Sequence, residues 1–269
     1  MLGTQLNIVN KQLKLLDLKT LSGGVIGKNL MIIDNGMGQL EVKGDFTITI
    51  KVLNLCTIPT PKLKSLMNLT KNLISSLLKG PVFVYNYNYF RYNPKKKTFN
   101  QKEPSRFAIK YDFNINVDVY AVSTLSHING NDFCIAVVDK IKGTFKDKYN
   151  RVHGVAGFVY GNGDAPAIIA YTDWSKDWVI GTHEFFHSLG LSDSESTADN
   201  GTIMYHLAAA LGTKLKQEDK STLYQYIMRD LRNMTQSTYR NPNMNTVLKL
   251  RQQLNNPANA ISYNRNNFR

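Results

Sequence analysis

The segment 182–193 constrains this chain more than any other, because it reads H-E-x-x-H-x-x-G-x-x-D from His183 to Asp193. Histidines four residues apart lie on one face of an α-helix, so the rings of His183 and His187 can reach the same metal ion. Glu184 lies one step further round the helix, where its carboxylate can reach water beside the metal as a general base. The spacing therefore predicts a helix that carries a metal site.

The residues after the second histidine predict how this helix ends and where a third ligand comes from. Gly190 suits the left-handed conformation that commonly ends a helix. The chain can then turn back and bring Asp193 under the metal. Two imidazoles, one carboxylate and one open position are typical of a catalytic zinc site. In the alternative interpretation, this is a buried helix whose histidines bond only to backbone groups.

A second motif, N-G-T-I-M-Y-H, follows at 200–206. Together the two motifs resemble the metzincin zinc peptidases, which pair an extended H-E-x-x-H-x-x-G-x-x-H/D motif with a methionine turn beneath the metal. The aspartate variant of the third ligand resembles the snapalysin-like branch. The resemblance implies a zinc ion bound by His183, His187 and Asp193. It assigns Met204 to the turn, where it supports the site without binding the metal; an ordinary core methionine is the alternative.

The chain departs from the family pattern at two positions. Asp193 stands where the family more often has histidine; its oxygen binds zinc well, but the added negative charge makes the zinc-coordinated water less acidic. His206 stands two residues after the methionine, where some relatives place a tyrosine that stabilises the transition state, and Tyr205 precedes it. Either residue could assist catalysis, and His206 is also a rival third ligand.

Hydrophobic periodicity predicts the remaining elements. Strands are predicted at 41–53, 82–92, 106–124, 133–138, 154–160 and 167–171, and helices at 60–80, from Ser175 through the H-E-x-x-H segment, and at 216–234. This order resembles the whole metzincin catalytic domain over residues 41–233. It implies an α+β (α/β-like) fold: a twisted five-stranded mixed sheet, mostly parallel, with a zinc-binding active-site helix and a C-terminal helix.

The resemblance also implies that residues 154–160 form the antiparallel edge strand of that sheet. In the family this strand pairs with an extended substrate, so that main-chain hydrogen bonds hold a peptide regardless of its sequence. Gly154 and Gly157 would let the substrate backbone approach closely.

The ends of the chain are predicted to lie outside this domain. Residues 1–40 are predicted to be an N-terminal extension, with a short helix within 6–21 and also a short hairpin around 31–33. Residues 234–269 are a polar, mobile C-terminal tail with a short helix at 247–254. Cys56 and Cys134 are too few for a disulfide framework, and both are predicted to be free, buried thiols.

Composition and net charge indicate which classes of partner the chain is expected to bind. The net charge of +13 favours anionic partners such as nucleic acid, but a composition rich in Asn and Lys explains the charge without them, so nucleic acid is not the expected partner. No apolar run is long enough for a membrane span, and the start does not read as a secretory signal peptide. These observations leave the localisation open between export through a dedicated secretion system and the cytoplasm.

The function predicted is a zinc-dependent endopeptidase with Glu184 as general base. Two alternatives stay open: a catalytically inactive zincin-fold binding module, which a casein digest would distinguish, and a basic nucleic-acid-binding protein, which salt-dependent DNA binding would reveal. The chain also resembles metallopeptidase toxin domains of secreted bacterial effectors. That resemblance implies a cognate immunity or inhibitor protein as a partner, beside the peptide substrate.

Overall fold

The helices and strands are described for most of the chain. The computed structural model describes residues 6–9, 12–15, 25–34, 39–85, 91–93, 98–100, 108–129, 132–146, 149–160, 163, 165–207, 212–234 and 245–268. The strands are β1 (Leu6–Val9), β2 (Gln12–Leu15), β3 (Val25–Asp34), β4 (Gln39–Asn54), β5 (Val82–Tyr85), β6 (Arg91–Asn93), β7 (Thr98–Asn100), β8 (Ala108–Val122), β9 (Phe133–Val138), β10 (Lys140–Ile141), β11 (Thr144–Lys146), β12 (Val152–Gly154), β13 (Gly157–Val159), β14 (Ala167–Ala170) and β15 (Ile261–Ser262). The α-helices are α1 (Leu63–Leu77), α2 (Tyr171–Trp174), α3 (Ile180–Ser188), α4 (Gln217–Met234) and α5 (Thr246–Asn255).

Strand β9 shows how the main sheet acquires two apolar faces, because every one of its residues is buried. Successive side chains of a strand point to opposite faces of a sheet. Phe133 and Ile135 join the core on one face, and Cys134 and Ala136 join the core on the other. The continuous apolar run that predicted a central strand is therefore confirmed.

Strand β4 is the centre of the main sheet. It pairs in parallel with β8 on one edge; on its other edge it pairs first with antiparallel β3 and then with parallel β9. Next to β9 comes parallel β14, and antiparallel β13 lies at the edge. Nine of the described strands belong to this sheet, because β2 and β1 follow β3 and β5 pairs with β8. The α+β class and the mixed sheet are confirmed, whereas the strand number of five is wrong.

The predicted edge strand 154–160 is divided into two strands. Only β13 pairs with the main sheet, whereas Gly154 ends β12, which pairs with β11 in a separate two-stranded sheet. The prediction of one continuous strand is therefore wrong. Gly157 lies on the edge of the main sheet, and Gly154 lies outside it.

The N-terminal segment adds strands to the main sheet. The helix expected within 6–21 is wrong where the structure describes it, since 6–9 and 12–15 are antiparallel strands. Strand β1 pairs with β2 from Val9 opposite Gln12, and β2 pairs with the later strand β3. The hairpin that was also expected around 31–33 is confirmed, because β3 and β4 pair antiparallel.

The helices cover both faces of the sheet. Residues from α1, α3 and α4 belong to one core cluster, and residues from α5 belong to the other. Two predicted helix starts are wrong. Thr60 does not cap α1, since its hydroxyl accepts a hydrogen bond from Asn54 and the helix begins at Leu63. Ser175 ends α2 instead of capping α3, and its hydroxyl donates to the Thr172 carbonyl.

The C-terminal segment differs from the mobile tail that its polar composition suggested. The short helix is confirmed as α5, which places Leu250 and Leu254 in the core on the far face of the sheet. Strand β15 pairs with β10, and Phe268 is buried in the same core. Sparse apolar side chains thus anchor residues 245–268 to the sheet.

Both cysteines are free and buried, as predicted. Burial and the nearby charge of Asp139 raise the pKa of Cys56 to about 12, so its thiol is protonated at neutral pH. Within the described ranges, no helix combines the length and the apolar composition that crossing a membrane requires.

Candidate metal centre

Helix α3 carries the H-E-x-x-H segment and is buried along its whole length. Phe185 packs edge-on against Phe133 of β9, with ring centroids 5.3 Å apart. At Gly181 a β-carbon would lie 2.6 Å from the Thr70 hydroxyl and 2.7 Å from the Trp174 ring. The absence of a side chain there lets α3 pack closely against α1 and α2, which fixes the helix beneath the sheet.

Backbone carbonyls fix the orientation of both histidine rings. His183 Nδ1 lies 2.7 Å from the Ile203 carbonyl oxygen, and His187 Nδ1 lies 2.7 Å from the Leu191 carbonyl oxygen. A carbonyl oxygen can only accept, so each Nδ1 carries a proton, and each Nε2 can act as a metal ligand when it carries none. Burial and the charge of His187 lower the pKa of His183, which keeps that ring neutral. Burial alone would lower the pKa of His187, but its hydrogen bond to Asp193 and the charges of Glu184 and Asp193 raise that pKa to about 9, so a metal ion bound here would displace the Nε2 proton of this ring. The two carbonyls hold both Nε2 atoms toward one point.

Three donor atoms converge at one point. The Nε2 atoms of His183 and His187 lie 3.1 Å apart, and Asp193 Oδ1 lies 3.4 Å from the first and 3.3 Å from the second. Two ligands of a tetrahedral zinc ion, each bonded at about 2.0–2.1 Å, are about 3.3 Å apart. The triangle of donors therefore fits a zinc ion without rearrangement. Its chemistry, two imidazoles and one carboxylate, also suits zinc.

Glu184 lies beside this triangle but is held differently. One of its carboxylate oxygens and a ring nitrogen of each histidine lie within 4.8 Å of one another. The carboxylate is buried, and among the described residues its Oε2 has no hydrogen-bond partner. Burial raises the pKa of Glu184 to about 8, although the charge of His187 opposes the rise. A cation at the three donors would favour the ionised carboxylate.

The reason for a glycine at position 157 differs from the predicted one. A β-carbon at Gly157 would lie 2.6 Å from Glu184 Oε1 and 2.7 Å from its Cγ. The missing side chain therefore makes room for Glu184, not for a substrate backbone. At Gly154 a β-carbon would meet nothing within 4 Å.

The segment 203–206 lies directly against the site through its main chain. The Ile203 carbonyl orients His183, and the Met204 carbonyl accepts a hydrogen bond from the Ser194 N–H at 2.7 Å. The Met204 side chain is buried in the core cluster that includes α3. The Met204 side chain therefore lies in the same core as residues of the histidine helix, and its supporting role at a metal site stays a prediction.

The two residues after Met204 lie near the site, on its Asp193 side. Tyr205 and His206 pack with ring centroids 4.7 Å apart. His206 Nδ1 lies 3.1 Å from the Ser194 carbonyl, and within the described part of the chain its Nε2 is buried without a partner. His206 also contributes to the charge environment of Asp193. The carboxylate of Asp193, not His206, completes the triangle of donors.

The sequence did not reveal the residues that fix the loop carrying Asp193. Ser194, Asp199 and Lys216 form a connected group next to Asp193. No motif spacing identifies them, because their contacts join separate loops. The only local signal was a serine directly after the predicted ligand.

No protein-family model matches the sequence, and no curated protein matches it. Among solved structures, the chain is similar to the crystal structure of archaemetzincin from Methanopyrus kandleri, with a TM-score of 0.39 and 11% sequence identity. The match covers 68% of this chain and 97% of that chain. Function is therefore inferred from the side chains of the site.

Proposed function

We propose that this chain is a zinc-dependent endopeptidase of the metzincin type. One observation carries the proposal: His183, His187 and Asp193 converge with the spacing of zinc ligands, next to a buried Glu184 carboxylate that has an unpartnered oxygen among the described residues. A buried carboxylate without a partner is costly and is typical of a functional group. Three protein ligands leave the fourth position of a zinc ion open, as in catalytic sites.

The chain's own residues supply the remaining chemistry. A zinc ion held by the three donors would polarise a peptide carbonyl and make water nucleophilic near neutral pH. Glu184 accepts the proton of the attacking water at its carboxylate and donates that proton to the leaving amine. Neither histidine transfers a proton, since each Nδ1–H is committed to a backbone carbonyl.

Two further features support a peptide as the substrate. Strand β13 packs on Glu184 through Gly157 and, within the described residues, pairs with β14 alone. Its other edge offers main-chain groups to an extended peptide beside the general base. His206, which lies close to Asp193 with Tyr205 packed against it, is our candidate for additional stabilisation of the developing oxyanion. Its Nδ1–H faces the Ser194 carbonyl, so it would donate from Nε2 only as an imidazolium.

The decisive test is Glu184→Gln. The amide nearly matches the carboxyl in size but cannot accept a proton, so hydrolysis should fall by about 10²- to 10⁴-fold while zinc content stays unchanged. Cleavage is measured by mass spectrometry of a peptide library, and zinc by elemental analysis of the same samples. Glu195→Gln, which removes an exposed carboxylate from the neighbouring loop, is the matched control and should cleave normally.

The outcomes separate the alternatives. A wild-type protein that binds zinc but cleaves no peptide would be an inactive binding module. Unchanged cleavage by zinc-loaded Glu184→Gln would assign the general base to another group. The snapalysin-like branch, the effector toxin role and the immunity-protein partner stay predictions from the resemblance; growth of cells that express wild-type or Glu184→Gln protein tests the toxin role.

A further inference from the structure

Ser194 connects the third ligand to the rest of the site. It follows Asp193 directly, and its backbone is held on both sides: the N–H donates to the Met204 carbonyl at 2.7 Å, and the carbonyl accepts from the His206 N–H at 3.1 Å. Its hydroxyl donates to Asp199 Oδ2. Every polar group of Ser194 is thus used to fix the chain next to the ligand.

Asp199 is the buried centre of this arrangement. Its Oδ2 accepts from the Ser194 hydroxyl and pairs with the Lys216 ammonium, and these contacts lower the pKa of Asp199. Its backbone carbonyl accepts from the N–H and the hydroxyl of Thr202, at 2.9 Å and 2.7 Å. Asp199 therefore joins the ligand loop to the segment that leads into the methionine turn and to the start of α4.

These contacts matter because the Asp193 side chain is less constrained than the two histidine rings. Each histidine ring is buried in a rigid helix and oriented by a carbonyl, whereas the Asp193 side chain is 48% exposed on a loop. A loop carboxylate that must lie 3.3–3.4 Å from both Nε2 atoms loses conformational freedom unless its neighbours already hold it. Groups that orient a ligand commonly alter metal affinity by 10- to 100-fold.

We propose that Asp199 is a positioning residue for the metal site: by fixing Ser194 it holds Asp193 against the two histidines and so sets the zinc affinity. Lys216 balances its buried charge, which permits a further carboxylate beside the loop that carries Asp193. Since this role concerns the proposed zinc site, it rests on the proposed function.

The experiment measures metal binding, not hydrolysis, in the full chain. Zinc affinity is determined by competition with a chromophoric chelator, and the ligand geometry is followed by the visible absorption of bound Co²⁺. Asp199→Asn and Ser194→Ala should each weaken zinc binding by about 10- to 100-fold and change the Co²⁺ spectrum. Ser194→Thr keeps the hydroxyl and should retain both properties.

Glu41→Gln is the matched control, because Glu41 is a half-buried carboxylate of β4 paired with Lys110 and Lys43, away from the site. It should bind zinc like the wild type. If wild-type protein takes up neither metal, the proposed function fails. If the wild type binds and the two variants match its affinity and spectrum, the role of Asp199 is overturned while the site stands. Should Asp199→Asn not fold, Ser194→Ala decides alone, because it keeps the Asp199–Lys216 ion pair.

Discussion

The position of the Glu184 carboxylate depends on Gly157, which has no side chain. Strand β13 packs against the Glu184 carboxylate at Gly157, and a β-carbon at that position would overlap the carboxyl group. Real β-carbons do not approach other atoms to 2.6 Å, so a larger residue must displace Glu184 or the strand. The Glu184 carboxylate and strand β13 are thus one packed unit.

Gly157→Ala should therefore lose activity without losing zinc. Displacing a catalytic group by about 1 Å costs about 10²-fold in rate. The three proposed ligands lie outside this contact, so zinc content should match the wild type. Peptide cleavage and elemental analysis of the same preparation measure the two properties.

Gly154→Ala is the control for this substitution. It adds the same methyl group three residues earlier, where nothing lies within 4 Å, and should cleave at the wild-type rate. Equal activity of the two alanine variants would contradict the contact between β13 and Glu184.

The sequence predicts those residues of the site that follow helical spacing or belong to a known motif. His183 and His187 follow from the period of the helix, which is a local property. Asp193 followed from a turn at Gly190 and from the resemblance together, since helical spacing alone does not show where a loop returns. The contacts of Asp199 could not be predicted, because its partners, Ser194 and Lys216, come from different parts of the chain.

At the scale of elements, the segment 203–206 contacts the candidate site through its main chain. The carbonyls of Ile203 and Met204 hold His183 and Ser194, while the Met204 side chain fills the core beneath. The side chain therefore contributes volume, and the backbone contributes the hydrogen bonds that shape the site.

Met204→Leu should keep the metal. It conserves volume in a packed core, so it should lower the free energy of unfolding by less than about 1.5 kcal/mol. Urea unfolding and zinc analysis at neutral pH measure the two effects. A folded Met204→Leu protein that takes up no zinc would show that the thioether has a more direct role.

The elements that were predicted correctly share strong periodicity. Helices α1 and α4 and strands β4, β8 and β9 have apolar residues at regular spacing, and all five lie where the sequence places them. The helix expected within 6–21 is the main error. Strands β1 and β2 are only four residues long, too short for their apolar spacing to decide between helix and strand. Pairing of β1 with β2, and of β2 with β3, determines their conformation.

On the scale of the whole molecule, the sheet separates the site from a second core. Helices α1, α3 and α4 cover the face that carries the histidines, and α5 with Phe268 covers the other. Strand β9 contributes alternate side chains to both cores. The C-terminal segment therefore stabilises the sheet that supports the site without contributing a donor to it.

Leu250→Ala tests this division. Leu250 is fully buried between α5 and the sheet, and truncating a buried leucine lowers the free energy of unfolding by about 2–5 kcal/mol. Leu248, on the same helix, is 47% exposed, and its alanine variant should change that free energy by no more than about 0.5 kcal/mol. Urea unfolding of the two variants measures the difference, and zinc affinity of the folded Leu250→Ala protein should equal that of the wild type. Equal stabilities would mean that α5 does not cover the far face of the sheet in solution.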